Sequence, residues 1–281
     1  MGEPRARYLT DLSDAEWEIL RPLVPAVKPG GRSARHTRRE IVNALAYWLR
    51  AGCAWRLLPH DLPTCQTTYH YWWQFQRDGL WEGLLTELRE GERLRLGRDP
   101  TPGAGIMDSQ SVRATERGGL LGYDGGKKAN GIKRHLLVDT LGTVLLACVR
   151  PPNVDDRNGA EVLLCQAADN FPRLKHIWAH QGYRGADFHA WIRQASGITV
   201  QIVRRRDGGF RRTWAKAGAP FPEVPYFAVV QRRWVVERRF AWLGRCRRLS
   251  KDYEYLRGNS ENFICLAIAM LLLRRHARAP R

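Results

Sequence analysis

Glu237 stands inside the segment Gln231-Arg-Arg-Trp-Val-Val-Glu-Arg-Arg-Phe240, with Arg232, Arg233, Arg238 and Arg239 around it. An acid among four guanidinium groups is either a solvated ion pair or a carboxylate kept to bind a divalent cation beside a polyanion. The neighbourhood favours the second reading. From Gln201 to Ser250 the chain carries thirteen Lys or Arg against only Asp207, Glu223 and Glu237. A surface of that kind wants nucleic acid. A second acid, Asp108, follows the apolar Gly105-Ile-Met107 and precedes Ser109-Gln-Ser111. A carboxylate there is costly unless it faces a cleft or binds local backbone. Taken together, one acid from a strand and one from a late helix can hold two Mg²⁺ ions, which activate a water and steady the leaving oxygen in phosphodiester chemistry.

The rest of the chain must position these two acids. It has 281 residues, 44% of them hydrophobic, a net charge of +18 and a pI near 10.3. That is enough for a real core, and it excludes a disordered basic tail. The longest apolar run, Phe263 to Leu273, is too short to span a bilayer and reads as a buried helix. No signal segment opens the chain, so a cytoplasmic protein, nucleoid-associated when bound to DNA, is expected. The six cysteines include no Cys-x-x-Cys pair, which argues for reduced, mostly buried thiols and against zinc or disulfides.

The first ninety-odd residues read as helical. Ser13-Asp-Ala-Glu16 is a capping box opening a helix from Glu16 to Val24, and Thr37-Arg-Arg-Glu40 repeats the device for a helix ending near Ala51, before Gly52. Thr64 can cap a third helix, Cys65 to Asp78, with Gly79 as its stop. That helix bears Gln66, Thr67, Thr68, His70 and Gln74, which suits either a helix-turn-helix DNA reader or a plain helical bundle. Tyr69, Tyr71, Trp72, Trp73 and Phe75 read as core. A Gly-, Pro- and Arg-rich break at Leu96 to Gly105 divides a helical domain, 1–95, from a second domain, 96–281. In the second, Ile106 to Ala114 reads as a strand, and Ile132 to Asp139 with Thr143 to Val149 as a hairpin. A helix (Asn158 to Asp169), a strand (His176 to Ala179), a helix (Ala186 to Gln194) and a strand (Ile198 to Val203) follow. An irregular basic insertion, about 204–225, precedes closing helices at Gln231 to Leu249 and Asn259 to Arg274. This order predicts an α/β fold, a mixed sheet with helices on both faces.

Three segments resemble one family. Gly131-Ile-Lys-Arg-His-Leu-Leu-Val-Asp-Thr-Leu-Gly142, Pro152-Asn-Val-Asp-Asp-Arg-Asn-Gly-Ala160 and the run Arg232 to Leu249 look like bacterial insertion-sequence transposases of the insertion-sequence-five group. Leu12-Ser-Asp-Ala-Glu-Trp17 and Gly52-Cys-Ala-Trp-Arg-Leu-Leu-Pro59 are similar to their helical N-terminal region. The resemblance implies a ribonuclease H-like catalytic domain with an Asp-Asp-Glu triad and Mg²⁺, Mn²⁺ being a possible substitute. Such an enzyme cuts transposon ends and joins the freed 3′-hydroxyl to target DNA. Its partners are double-stranded DNA and at least one further copy of itself, and no membrane.

Carried over residue by residue, the first acid falls on Asp108 and the last on Glu237, four residues after Arg233. Val230 stands where the family has a tyrosine, and Gly244, followed by Arg245, where it has a lysine. The second acid is expected in Ala-Asp-x-Gly-Tyr, and this chain has Ala179-His-Gln-Gly-Tyr183, so His180 takes the place of a catalytic aspartate. A neutral imidazole suits Mn²⁺, Zn²⁺ or Ni²⁺ better than Mg²⁺. The chain is then a transposase using another metal or another acid (Asp155 or Asp156), or a disabled transposase-derived DNA-binding protein, or one with an introduced lesion that traps a complex. A nuclease that cuts without joining is a further reading. Asp155 otherwise reads as a helix cap, Asp139 as a turn residue and Asp124 as a loop residue. Lys127, Lys128, Lys133 and Arg134 beside the hairpin, Arg204, Arg205 and Arg206 in the insertion, and Arg232, Arg233, Arg238, Arg239 and Arg245 are the expected DNA contacts. Trp214 could stack on a base or pack.

Overall fold

The computed structural model describes residues 5–26, 35–115, 121–125, 128–203 and 231–278. Lys127, Arg204, Arg205, Arg206, Trp214 and Val230 lie outside the described residues.

Side-chain caps decide where the first helices begin. Ser13 accepts from the Glu16 amide and Glu16 returns to the Ser13 amide, a complete box opening α1 (Asp14–Leu20). Thr37 caps α2 (Arg38–Ala51), but the Glu40 carboxylate goes to Arg5 and Asn43, so that box is half made. Gly52, at φ 70°, ends α2 in the left-handed conformation that a side chain resists. Thr64 opens α3 (Cys65–Arg77), and α4 (Leu80–Arg95) begins directly after Gly79. The sequence pattern gave Gly79 only as a stop; it is a hinge between two helices.

The sheet contains β1 (Ala104–Arg113), β2 (Gly122–Asp124), β3 (Ala129–Asp139), β4 (Val144–Arg150), β5 (His176–Ala179) and β6 (Thr199–Ile202). Its order is β2-β3-β1-β5-β6, with β4 also paired to β3. The β1–β3 and β3–β4 pairs are antiparallel, while β1–β5 and β5–β6 are parallel. Two helices, α5 (Asp156–Asn170) and α6 (Ala186–Ser196), supply the crossovers of the parallel half. This is the ribonuclease H-like arrangement. The first closing helix is broken at Gly244 into α7 (Gln231–Leu243) and α8 (Arg247–Ser250), and α9 (Arg257–Arg278) completes the chain.

Strand alternation sends side chains to two cores. On one face Met107, Leu137 and Ile177 pack with α5 and α6. On the other, Ile106, Leu136 and Val138 pack with α7, α9 and the N-terminal helices. Phe263 of α9 stacks on Trp72 at 4.0 Å and meets Trp48 at 4.6 Å, so α2 and α3 share a core with the chain's last helix. Trp72 and Phe75 are core as expected, but Tyr69 and Trp73 are half exposed and Thr68 is buried. On α3 the exposed stripe is therefore Gln66, Tyr69, His70, Trp73 and Arg77. All six cysteines are free, and only Cys148 and Cys265 are buried. Among the described residues no helix is long and apolar enough to cross a membrane.

Candidate active site

The parallel pairing of β1 with β5 aligns Met107 with Ala179, so Asp108 and His180 emerge side by side just beyond that pair. Asp108 is buried, and its Oδ1 accepts from the Ser109 amide at 2.8 Å while lying 3.1 Å from His180 Nε2. Of the two expectations for this acid, the bond to local backbone is present, and its second oxygen faces Arg233 rather than lying unpaired. His180 Nδ1 accepts from the Gly182 amide at 2.8 Å. That leaves a neutral ring's proton on Nε2, the atom facing Asp108.

Packing of α7 across β1 brings the third residue in. Arg233 Nε lies 2.8 Å from Glu237 Oε1 and 3.5 Å from Asp108 Oδ2. The Nε hydrogen is not aimed at either oxygen, and the contact is a close ion pair rather than a directed hydrogen bond. From the other side comes Asp156, the first residue of α5. Its Oδ2 is 3.6 Å from His180 Nε2, and its Oδ1 is 3.1 Å from Lys133 Nζ and accepts from Ser109 Oγ at 2.9 Å. Burial raises the Asp156 pKa, but Lys133, the Ser109 bond and His180 outweigh it and hold the carboxyl below its usual range. Lys133–Asp156–His180–Asp108–Arg233–Glu237 is thus a continuous chain of alternating bases and acids.

Sequence reasoning placed Asp108, His180 and Glu237 together, and the fold brings them together. It gave Lys133 and Arg233 to DNA, whereas here they neutralise the acids. Lys133 also donates to the Val154 carbonyl at 2.9 Å. Asp155 is a helix cap, accepting from the Asn158 amide at 2.8 Å. Asp139, fully buried, accepts from two turn amides and pairs with Arg93 at 2.6 Å. Arg134 and Arg239 are each only 1% exposed and donate to the carbonyls of Leu249 and Leu141, so neither offers a free guanidinium to DNA. Lys128, Arg232 and Arg245 are exposed, Arg238 half so; Arg232 lies 3.8 Å over the Trp178 ring.

Two carboxylates, Asp108 and Glu237, converge on one position suited to positive charge, and a guanidinium holds it. Hard oxygen donors of that kind suit a divalent ion. Among the described residues, however, no set of three His, Cys, Asp or Glu side chains is arranged to hold a metal.

Residues 99–272 match the family described as "Transposase DDE domain", a span that takes in Asp108, His180 and Glu237. The chain belongs to the DDE transposase family. The N-terminal helices of this transposase, residues 12–85, match a second family, "Putative transposase of IS4/5 family". An uncharacterized protein of Sinorhizobium fredii, y4sN, is 28% identical over 121 residues, which is 43% of this chain and 86% of that protein. No solved structure matches the transposase.

Proposed function

We propose that the chain cleaves the ends of an insertion sequence and transfers the freed 3′-hydroxyl to target DNA, with Mg²⁺ as the natural cofactor and Mn²⁺ as a substitute. The observation that carries this reading is the convergence of Asp108 and Glu237, from a central strand and a late helix, on one cation position. Asp108 and Glu237 are the residues that would hold the metal, and a bound ion would there activate the attacking oxygen. His180 occupies the position of the second acid. It orients on Asp108 through Nε2 and adds no negative charge of its own. Asp156 supplies the charge that His180 lacks, one residue-width away. Lys128, Arg232, Arg238 and Arg245, with Lys127 and the 204–206 arginines, would hold phosphates. The exposed stripe of α3 supports a DNA-reading role for it, with residues 1–95 binding DNA and 96–281 catalysing. Acting on two DNA ends calls for a homodimer or larger assembly, and the setting is the cytoplasm.

The test is a cleavage and strand-transfer assay on transposon-end DNA with flanks, in Mg²⁺ and in Mn²⁺, comparing the chain with His180→Asp and Glu237→Ala. Cutting and joining that Glu237→Ala abolishes would support the reading, and His180→Asp should raise Mg²⁺-dependent activity tenfold or more, about 1.4 kcal/mol of transition-state stabilisation. Cutting with no joining would make it a nuclease instead. If none of the three proteins cuts in either metal, the catalytic reading fails.

A further inference from the structure

A cavity of about 430 Å³ opens where α2, the end of α7 and α9 meet. That volume lies in the range of small-ligand sites, roughly 300–1,000 Å³. It is away from the catalytic carboxylates: five residues along α7 separate Trp242, in its wall, from Glu237, a turn of about 140° around the helix. Leu49, Leu243, Met270 and Leu271 make an apolar floor. The rim is Arg50, Arg245, Arg274, Arg275 and Arg278, and among the described residues no Asp or Glu lines the cavity.

These arginines are poorly neutralised. Among the described residues only Arg274 has a carboxylate within ion-pair reach, Glu16 at 3.9 Å. Arg275 of the rim, with Arg238 and Arg239 from outside the lining, gathers round the Trp242 ring, at 4.8, 5.4 and 4.3 Å respectively. Arg275 and Arg278 lie in the last turn of α9, where the helix dipole favours cations. The same holds for Arg50, in the last turn of α2, which also donates to the Arg245 carbonyl at 2.6 Å; Arg245 follows α7 and has no carboxylate within ion-pair reach among the described residues. Like charges gathered around an apolar hollow repel one another until an anion arrives.

We propose that this cavity binds a nucleotide of an unpaired DNA strand, its phosphate on the arginine rim and its base on the apolar floor beside Trp242. The inference rests on the reading of the chain as a DNA-processing enzyme. Duplex phosphates alone would have no use for an apolar floor, whereas single strands are held by basic grooves combined with apolar and aromatic platforms. Such a site would grip a strand end or a single-stranded flank outside the catalytic centre.

The experiment uses the full chain with a fluorescent ten-residue oligothymidylate, a duplex of transposon-end sequence and poly-glutamate. Variants are Arg50→Gln with Arg278→Gln, both rim residues outside the catalytic network, and Leu271→Gln in the floor. Oligothymidylate carrying 5-iodouracil is cross-linked by light and its sites mapped by mass spectrometry. Cross-links on residues 242–246 or 267–271 are expected. The rim pair should weaken single-strand binding about tenfold or more while changing duplex binding less than threefold. An equal loss for both forms would mean a general basic field and overturn the proposal. So would cross-links elsewhere, or competition by poly-glutamate as strong as by oligothymidylate, which would point to an acidic peptide. If the unaltered chain binds the transposon-end duplex, any of these results sinks this inference alone; if it binds neither DNA form, the transposase reading sinks with it.

Discussion

At the scale of single residues, the candidate site is governed by how charge is balanced rather than by how much of it there is. Asp156 is held by Lys133, Ser109 and His180. Replacing it with Asn removes the charge that faces the Lys133 ammonium, leaving only neutral oxygens around it, and a buried charged group losing its partner costs about 1–3 kcal/mol. Chemical denaturation of Asp156→Asn at pH 7 should show that loss. Because the folded pKa of Asp156 lies below its ordinary value, its contribution is full at neutral pH and fades as pH falls from about 4 through the folded value. The difference between the two proteins should therefore shrink only under strong acid; a difference that vanishes already at pH 6 would contradict the assignment. Asp108 was legible in the sequence because an acid is costly in a buried strand, and Glu237 because it stands alone among four arginines. Asp156 was legible only as one of two substitutes, with Asp155, for the acid missing at position 180. It follows an aspartate that caps the helix, and nothing in the sequence says which carboxylate of the pair turns towards the strand ends. Lys133 was hidden in a different way, since a lysine in a basic hairpin looks like a phosphate contact until the partner strand places Asp156 beside it.

Among elements, the seating of α5 on β3 fixes where Asp156 can reach. Gly159 of α5 faces His135 of β3, and a methyl group added there would sit 2.3 Å from the ring nitrogen Nε2. Alanine favours helix over glycine by up to about 1 kcal/mol, but overpacking costs about 1–3 kcal/mol. Gly159→Ala should thus lower stability despite the better helix former, and a rise in Tm would refute the tight seat. His135 itself is fully buried, with Tyr183 Oη 3.3 Å from its Nδ1, and burial lowers its pKa to about 4. The sign follows from proton counts. Between pH 6.5 and 4 the unfolded chain takes up a proton that the folded ring refuses, so stability falls as pH drops through that window. The full effect is about 3 kcal/mol, and it should be absent in His135→Phe when Tm is followed from pH 7 to 4. Most strands and helices were readable from alternation and caps, and β5 matches residue for residue. The α7–α8 break was not, because Gly244 stops a helix only where packing turns the chain, and neither was α4, which begins at the glycine that ends α3.

For the whole molecule, the sequence suggested a boundary near residues 96–105, and the two family matches, 12–85 and 99–272, fall on either side of it. The packing runs across that line. Trp48 and Trp72 from the N-terminal helices close on Phe263 of α9, and Arg93 of α4 reaches the buried Asp139 at the β3–β4 turn. A pattern of caps and glycines marks where the chain changes character but says nothing of which distant helix will cover an apolar face, and here the cover for α2 and α3 comes from the last helix. Phe263 is accordingly a test of unity. Its replacement by Ala removes a ring that stacks on Trp72 and meets Trp48 at a tilt, at a cost of about 3–5 kcal/mol. If residues 1–95 held a core of their own, calorimetry of Phe263→Ala would show the sheet domain melting near its normal temperature and the helices separately and earlier. With the shared core, both halves should melt in one transition shifted to lower temperature, and residues 1–95 expressed alone should lack the sharp near-ultraviolet circular dichroism of packed tryptophans. One transition in the full chain and a structureless fragment would mean that the N-terminal helices, α9 and the helix that carries Glu237 form one cooperative unit, so a change in the packing of α2 or α3 is felt in all three.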